Sequence, residues 1–112
     1  MSPEDLIVYQ RAMELAETIW NLVISWPPFM KDTIGKQWIR AADSIAANLS
    51  EGFGRYHFRE NRQFCYYARG SLQETATWLQ KAIHRKLVEP EQGDALARCI
   101  TSLGKQLNQY IN

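Results

Sequence analysis

The residues best suited to chemistry in this sequence are cations that alternate with aromatic rings in its middle third. Residues 55–62 read RYHFRENR, in which three arginines and a histidine are interleaved with a tyrosine and a phenylalanine. Cations bind phosphates and aromatic rings stack on unpaired bases, so this mixture is typical of single-stranded or structured RNA binding. The alternative is a solvated helix face with intramolecular salt bridges. The predicted nucleic-acid-binding residues are Lys36, Arg40, Arg55, Arg59, Arg62 and Arg69.

The distribution of charge places any polyanion site in the same region. The chain has 13 Lys and Arg against 12 Asp and Glu, so overall charge does not drive it onto nucleic acid. Residues 31–69, however, hold seven basic and four acidic side chains, net +3, whereas residues 1–30 are net −3. We therefore expect phosphate contacts to come from the middle third.

Other kinds of site are not indicated. His57 and His84 have no carboxylate or cysteine at the spacing of a helical metal pair, which predicts no metal site. The fragment Gly52-Phe-Gly54 follows a helical pattern and lacks the third glycine of a dinucleotide-binding loop. Without a catalytic dyad or phosphate loop, the sequence predicts a non-enzymatic protein that requires no cofactor.

The elements that must position these cations are helices. Apolar residues recur at spacings of three and four in four segments, and no segment alternates as a strand does. The segments end at the WPP sequence, at Gly52 or Gly54, where a glycine in the left-handed conformation is expected to end the helix, and before Pro90. This pattern predicts an all-α, up-down-up-down antiparallel four-helix bundle, one domain over residues 1–112 with helices at about 4–26, 30–51, 58–87 and 91–111.

Length and composition indicate a soluble intracellular protein. A chain of 112 residues can bury a core without metals or disulfides. Cys65 and Cys99 have no paired spacing and lie on or beside apolar faces, so we expect buried, reduced thiols. The first residues do not resemble a signal peptide, and no apolar run is long enough to span a membrane. The predicted location is the cytoplasm.

The corner after the second helix has its own predicted contacts. Asn48 is expected to hydrogen-bond Ser71 or Thr75 across the helix pair, because an unpartnered buried amide costs about 1–3 kcal/mol. Glu51 lies at a helix C-terminus and should have a cation nearby, with Arg55 and Arg69 as candidates and plain solvation as the alternative. The residues assigned to this structural motif are Ser44, Asn48, Glu51, Gly52, Gly54 and Ser71.

A second apolar stripe on the first helix predicts a subunit interface. It contains Met13, Ala16, Trp20 and Val23 and exceeds what one bundle needs. Met13 and Trp20 are the residues assigned to this interface.

Three segments resemble a known family. DLIVYQRAMELAETIW, IRAADSIAANLSEGFGR and YYARGSLQETATWL are similar to the first three helices of the four-helix-bundle proteins encoded in intervening sequences of bacterial 23S rRNA genes. That family also resembles the accessory protein of diversity-generating retroelements. The motif positions carried over are Arg40, Ser44, Asn48, Glu51, Gly52, Phe53, Gly54, Arg55, Arg69, Gly70 and Ser71.

The resemblance implies a homo-oligomeric ring, typically a homopentamer with a central channel, and an RNA-associated role. Two positions depart from the family pattern: Ile39-Arg40 replaces an arginine pair, which weakens the basic patch, and Ala46 replaces a proline, which lets the helix run straighter. The predicted function is thus a non-enzymatic RNA-associated ring. An oligomeric protein–protein interaction scaffold without nucleic-acid binding is the alternative, so RNA and another protein are both candidate partners.

Overall fold

Four long helices make up the architecture of the computed structural model, which describes residues 2–55 and 57–111 and, for Phe58, only the backbone. They are α1 (Ile7–Val23), α2 (Lys36–Phe53), α3 (Phe58–His84) and α4 (Pro90–Ile111). A short 3-10 turn, Pro3–Asp5, precedes α1. No strand occurs in these ranges, and the predicted all-α four-helix fold is confirmed.

Each helix packs against two neighbours, in the order α1, α2, α3, α4 and back to α1. The bundle measures 43 × 24 × 20 Å along its principal axes. Apolar residues spaced by three and four form the side of each helix that faces the core of the bundle, as the sequence pattern predicts. The largest fully buried side chains are Trp38, Leu15, Ile19, Ile45, Leu49, Leu79, Leu103, Leu107, Val23 and Thr75.

The connection from α1 to α2 is helical almost throughout. After Trp26 and Pro27, the single turn Pro28–Met30 leads into a π-helical segment, Lys31–Gly35, that continues into α2. A Cβ atom at Gly35 would lie 2.6 Å from a Val23 methyl carbon, so glycine is required for α1 to approach this closely. The start of α2 is therefore held tightly against the end of α1.

Trp38 of α2 contacts both the connection that follows α1 and the neighbouring helix α3. Its ring is fully buried and stacks on Trp26, with ring centroids 5.9 Å apart and planes inclined by 20°. Its indole Nε1 donates a hydrogen bond to the Thr75 carbonyl of α3, 3.1 Å away. This contact places Trp38 and Thr75 at the same height in the antiparallel pair.

Candidate nucleic-acid interface

The corner between α2 and α3 depends on a close approach of the two helices at Gly52. A Cβ atom there would lie 2.8 Å from Phe64 Cβ and 3.1 Å from the Asn61 carbonyl oxygen. The prediction that Gly52 or Gly54 adopts a left-handed conformation is wrong, since no described glycine has a positive φ and Gly54 has φ −75°. Glycine is required at residue 52 because a side chain there would clash with α3.

Arg55 is braced at this corner by two kinds of contact. Its guanidinium forms a salt bridge with Glu51, one helical turn earlier, which confirms the prediction of a nearby cation for that carboxylate. The same guanidinium lies over the Phe64 ring, 4.9 Å from the centroid. Phe64 in turn packs edge-on against Tyr67, whose hydroxyl accepts a hydrogen bond from Gln63 Nε2 at 2.9 Å. Sequence reasoning did not identify Phe64 and Tyr67, although their spacing of three places them together on a helix.

Arg59 and Arg62 lie on the first turns of α3, on the side away from Phe64. Both side chains are exposed, as is that of His57, the residue preceding α3. The N-terminal end of a helix carries partial positive charge and unpaired N–H groups, so it adds to the attraction that these cations exert on an anion. We call Arg55, His57, Arg59 and Arg62 the basic corner. Tyr56 and the Phe58 side chain, the aromatic residues predicted here, lie outside the described part.

Arg69 belongs to a different surface, between α3 and α4. Its Nη1 donates a hydrogen bond to Asn108 Oδ1 at 3.1 Å, and its guanidinium lies 4.8 Å from the centroid of the Tyr66 ring. Of the two cations proposed as partners for Glu51, the structure therefore selects Arg55. Arg69 links two helices of the bundle and lies almost two turns beyond Arg62.

Lys36 and Arg40 are not part of the basic corner. They lie on the first turns of α2, and at 1.5 Å per residue about 20 Å of helix separates Arg40 from the C-terminal end at Phe53. The six predicted cations therefore divide into the corner group, Arg69 on the α3–α4 surface, and a distant pair on α2. A count of charge along the sequence cannot show this division, because neighbouring segments of an antiparallel bundle run in opposite directions.

The polar residues of the structural motif form local rather than cross-helix hydrogen bonds. Asn48 Nδ2 donates to the Ser44 carbonyl at 2.9 Å, and Thr75 Oγ1 donates to the Ser71 carbonyl at 2.8 Å. The predicted contact between Asn48 and Ser71 or Thr75 is thus wrong, because a carbonyl one turn earlier on its own helix satisfies each donor. A polar contact that does cross from α2 to α3 is the hydrogen bond from Trp38 to the Thr75 carbonyl.

Met13 and Trp20 lie along a groove between α1 and α2. Trp20 is 47% exposed and Met13 44% exposed, whereas Ala16 and Val23 of the same stripe are buried. We call the part of the groove near the C-terminal end of α1 its upper part and the part nearer the N-terminal end its lower part. The upper part, with a volume of about 430 Å³, contains Trp20 and Ile24 beside the α2 cations Lys36 and Arg40. The lower part, of about 390 Å³, is lined by Tyr9, Met13, Ala16, Glu17, Asp43, Ala46, Ala47 and Ser50.

The lower part of the groove affects the titration of Asp43. Partial burial, and next the negative charge of Glu17, raise the pKa of the Asp43 carboxyl above its usual value. A cation brought close to this carboxylate would lower that pKa again. The groove therefore has an acidic lower part beside a basic upper part.

In residues 2–55 and 57–111, no three His, Cys, Asp or Glu side chains are placed to hold a metal ion. Cys65 is buried and Cys99 is exposed, so the expectation of two buried thiols holds only for the first. Burial raises the pKa of the Cys65 thiol. None of the helices in these ranges is long and apolar enough to cross a membrane.

Comparison with known proteins finds one family and a similar solved structure. The model of the 23S rRNA-intervening sequence protein family matches residues 4–109. A crystal structure of a protein of unknown function from the S23 ribosomal protein family of Bacteroides thetaiotaomicron VPI-5482 superposes with a TM-score of 0.85 at 24% identity. The alignment covers 95% of this chain and 99% of that one, and shows a shared fold. Comparison with curated protein sequences finds no match.

Proposed function

Because the chain belongs to the 23S rRNA-intervening sequence protein family, we propose that it is a non-enzymatic, RNA-associated protein that acts as a homo-oligomeric ring. The family resemblance favours a homopentamer. The observation that supports RNA association most directly is the basic corner, where Arg55 is held over Phe64 and the exposed Arg59 and Arg62 lie on the other side of the first turns of α3. Phosphate groups of a folded RNA are the ligands suited to these cations.

The contacts of Arg55 favour a prearranged site. Its side chain is 41% exposed, so the guanidinium is accessible to a ligand while Glu51 and Phe64 restrict its conformations. An exposed salt bridge is worth only about 0–1 kcal/mol, so exchanging Glu51 for a phosphate costs little. A side chain already ordered loses less entropy on binding than a free one.

The proposal is tested by charge reversal on α3. Arg59→Glu combined with Arg62→Glu leaves the Arg55–Glu51 pair in place and should weaken binding of a fluorescent structured RNA, measured by anisotropy, by at least tenfold. The matched control is Arg98→Glu with Lys105→Glu, two exposed α4 cations, which changes total charge equally. Equal loss in both variants would show that only net charge matters and would refute a site at the basic corner.

A second candidate function, a protein-interaction scaffold, is favoured by Phe29. This residue lies on the turn before the π-helical segment and is 74% exposed, more than any other large hydrophobic residue described. An exposed phenylalanine at the end of the bundle suits contact with another protein. In that case binding of the partner would be lost in Phe29→Ser and unchanged in the Arg59 and Arg62 variant.

A further inference from the structure

Gly70 is an unusual residue for its position. It lies in the middle of α3, where glycine costs about 1 kcal/mol relative to alanine. Gly35 and Gly52 avoid clashes inside the bundle, but a Cβ atom at Gly70 would meet nothing within 4 Å. The packing of this chain therefore gives no reason for glycine there, whereas a partner that approaches the α3 surface closely would.

The surroundings of Gly70 form an exposed face that could receive such a partner. Tyr66 and Tyr67, one turn earlier, are both large and exposed, and Glu74, one turn later, is exposed as well. Aromatic residues such as these tyrosines are enriched at the centre of protein interfaces. We call Tyr66, Tyr67, Gly70 and Glu74 the α3 face.

The groove between α1 and α2 matches the α3 face in the order of its residues. The Trp38–Thr75 hydrogen bond fixes the alignment of α2 and α3 along the bundle axis. Because the two helices are antiparallel, Arg40 lies at about the same height on this axis as Glu74, and Asp43 at about the same height as Gly70. Trp20 lines the groove beside Arg40, and Met13 lines it beside Ala47, which is level with the two tyrosines. The cationic end of the groove is thus at the height of the acidic end of the α3 face.

From this match we propose that the α1–α2 groove of one copy binds the α3 face of a second copy. Rotation about an axis parallel to the bundle keeps heights unchanged, so Arg40 of one copy then meets Glu74 of the next, and Trp20 packs near the flat surface at Gly70. Such a head-to-tail contact uses two different surfaces and generates a closed ring or an open filament. The inference rests on the assembly part of the proposed function and is independent of RNA binding.

Two variants test the head-to-tail arrangement. Trp20→Glu disables the groove, and Gly70→Glu disables the α3 face by adding bulk and negative charge opposite Asp43. By light scattering after size exclusion, the wild type should be an oligomer and each variant a monomer. An equal mixture should give a dimer with one copy of each, since one intact groove meets one intact α3 face. Thermal unfolding of each variant verifies that it is folded.

The same measurements can overturn the proposal. If Gly70→Glu keeps the wild-type mass while Trp20→Glu is monomeric, another surface occupies the groove. If the mixture of variants stays monomeric, or the wild type is itself a monomer, no such contact exists. RNA binding is measured separately on the same samples, so loss of assembly and loss of RNA association are distinguished.

Charge reversal provides an independent test of register. Arg40→Glu and Glu74→Arg should each weaken assembly. The association constant of the double variant should be about twofold to fivefold higher than expected if the two single substitutions acted independently. Arg40→Glu with Asp94→Arg, which makes the same change of charge as Glu74→Arg at an exposed residue of α4, is the control and should show no recovery. Equal behaviour of the two double variants would refute the proposed register.

Discussion

The requirement for glycine at position 52 leads to a quantitative prediction. Gly52→Ala should destabilise the protein relative to Gly70→Ala, although both changes replace a helical glycine. The added methyl group at residue 52 would lie 2.8 Å from Phe64 Cβ and 3.1 Å from a backbone oxygen, so α3 would have to shift. The added methyl group at residue 70 meets nothing within 4 Å.

The size of the difference follows from two terms. Replacing glycine by alanine inside a helix gains about 1 kcal/mol, and this gain applies in full at residue 70. Overpacking a tight contact costs about 1–3 kcal/mol, and this cost applies only at residue 52. The helix term at residue 52, in the last turn of α2, is no larger than at residue 70, so it does not reduce the difference. The free energies of unfolding of the two variants should therefore differ by about 1–3 kcal/mol or more, with Gly70→Ala the more stable.

The assay is urea unfolding followed by circular dichroism. Both changes are made in the Trp20→Glu background, so that assembly does not contribute to stability. A small destabilisation by Gly52→Ala should come with weaker RNA binding, because the shift of α3 moves Phe64 away from Arg55. If Gly52→Ala were as stabilising as Gly70→Ala, the close approach of α2 and α3 would be refuted.

Three further predictions concern the core, the thiols and the groove. Trp38→Phe removes the indole hydrogen bond to α3 and leaves part of the ring's volume empty, so unfolding in urea should show a loss of about 1–3 kcal/mol, whereas an unchanged midpoint would contradict this role. A maleimide should modify one thiol of the folded protein rapidly, at Cys99, and reach Cys65 only on unfolding; mass spectrometry of peptides identifies the site. Because the folded-state pKa of Asp43 is raised, its ionised form opposes folding and stability is regained as pH falls through that pKa, so Asp43→Asn should stabilise the protein at pH 7 and lose this advantage at lower pH. A stabilisation that is independent of pH would refute the cause given for this pKa.

The sequence predicts the four helices well because apolar spacing and proline act locally. The WPP segment and Pro90 mark two of the interhelical connections, and Arg55 is near enough to Glu51 in sequence for their pairing to be inferred. Both the prolines that end helices and the Glu51–Arg55 pair act over only a few residues of sequence. Such features are read from the chain without knowledge of which helices are neighbours.

Contacts between helices were predicted less well, for physical reasons. The role of Gly52 depends on the distance to α3, which no residue near it in sequence reveals. The amide of Asn48 is chemically suited to a hydrogen bond across the helix pair. Its N–H group instead donates to a carbonyl one turn earlier on the same helix. Lys36 and Arg40 belong to the same charged third as the basic corner, but the length of α2 separates them from it.

The salt dependence of RNA binding tests the central claim most directly. Three arginines that contact phosphates in each protomer predict that the logarithm of the association constant falls with the logarithm of salt concentration with a slope of about −2 to −3. Arg59→Glu with Arg62→Glu should reduce the magnitude of this slope by about 2. Absence of RNA binding at low salt, or a slope unchanged in the variant, would contradict phosphate recognition at the basic corner.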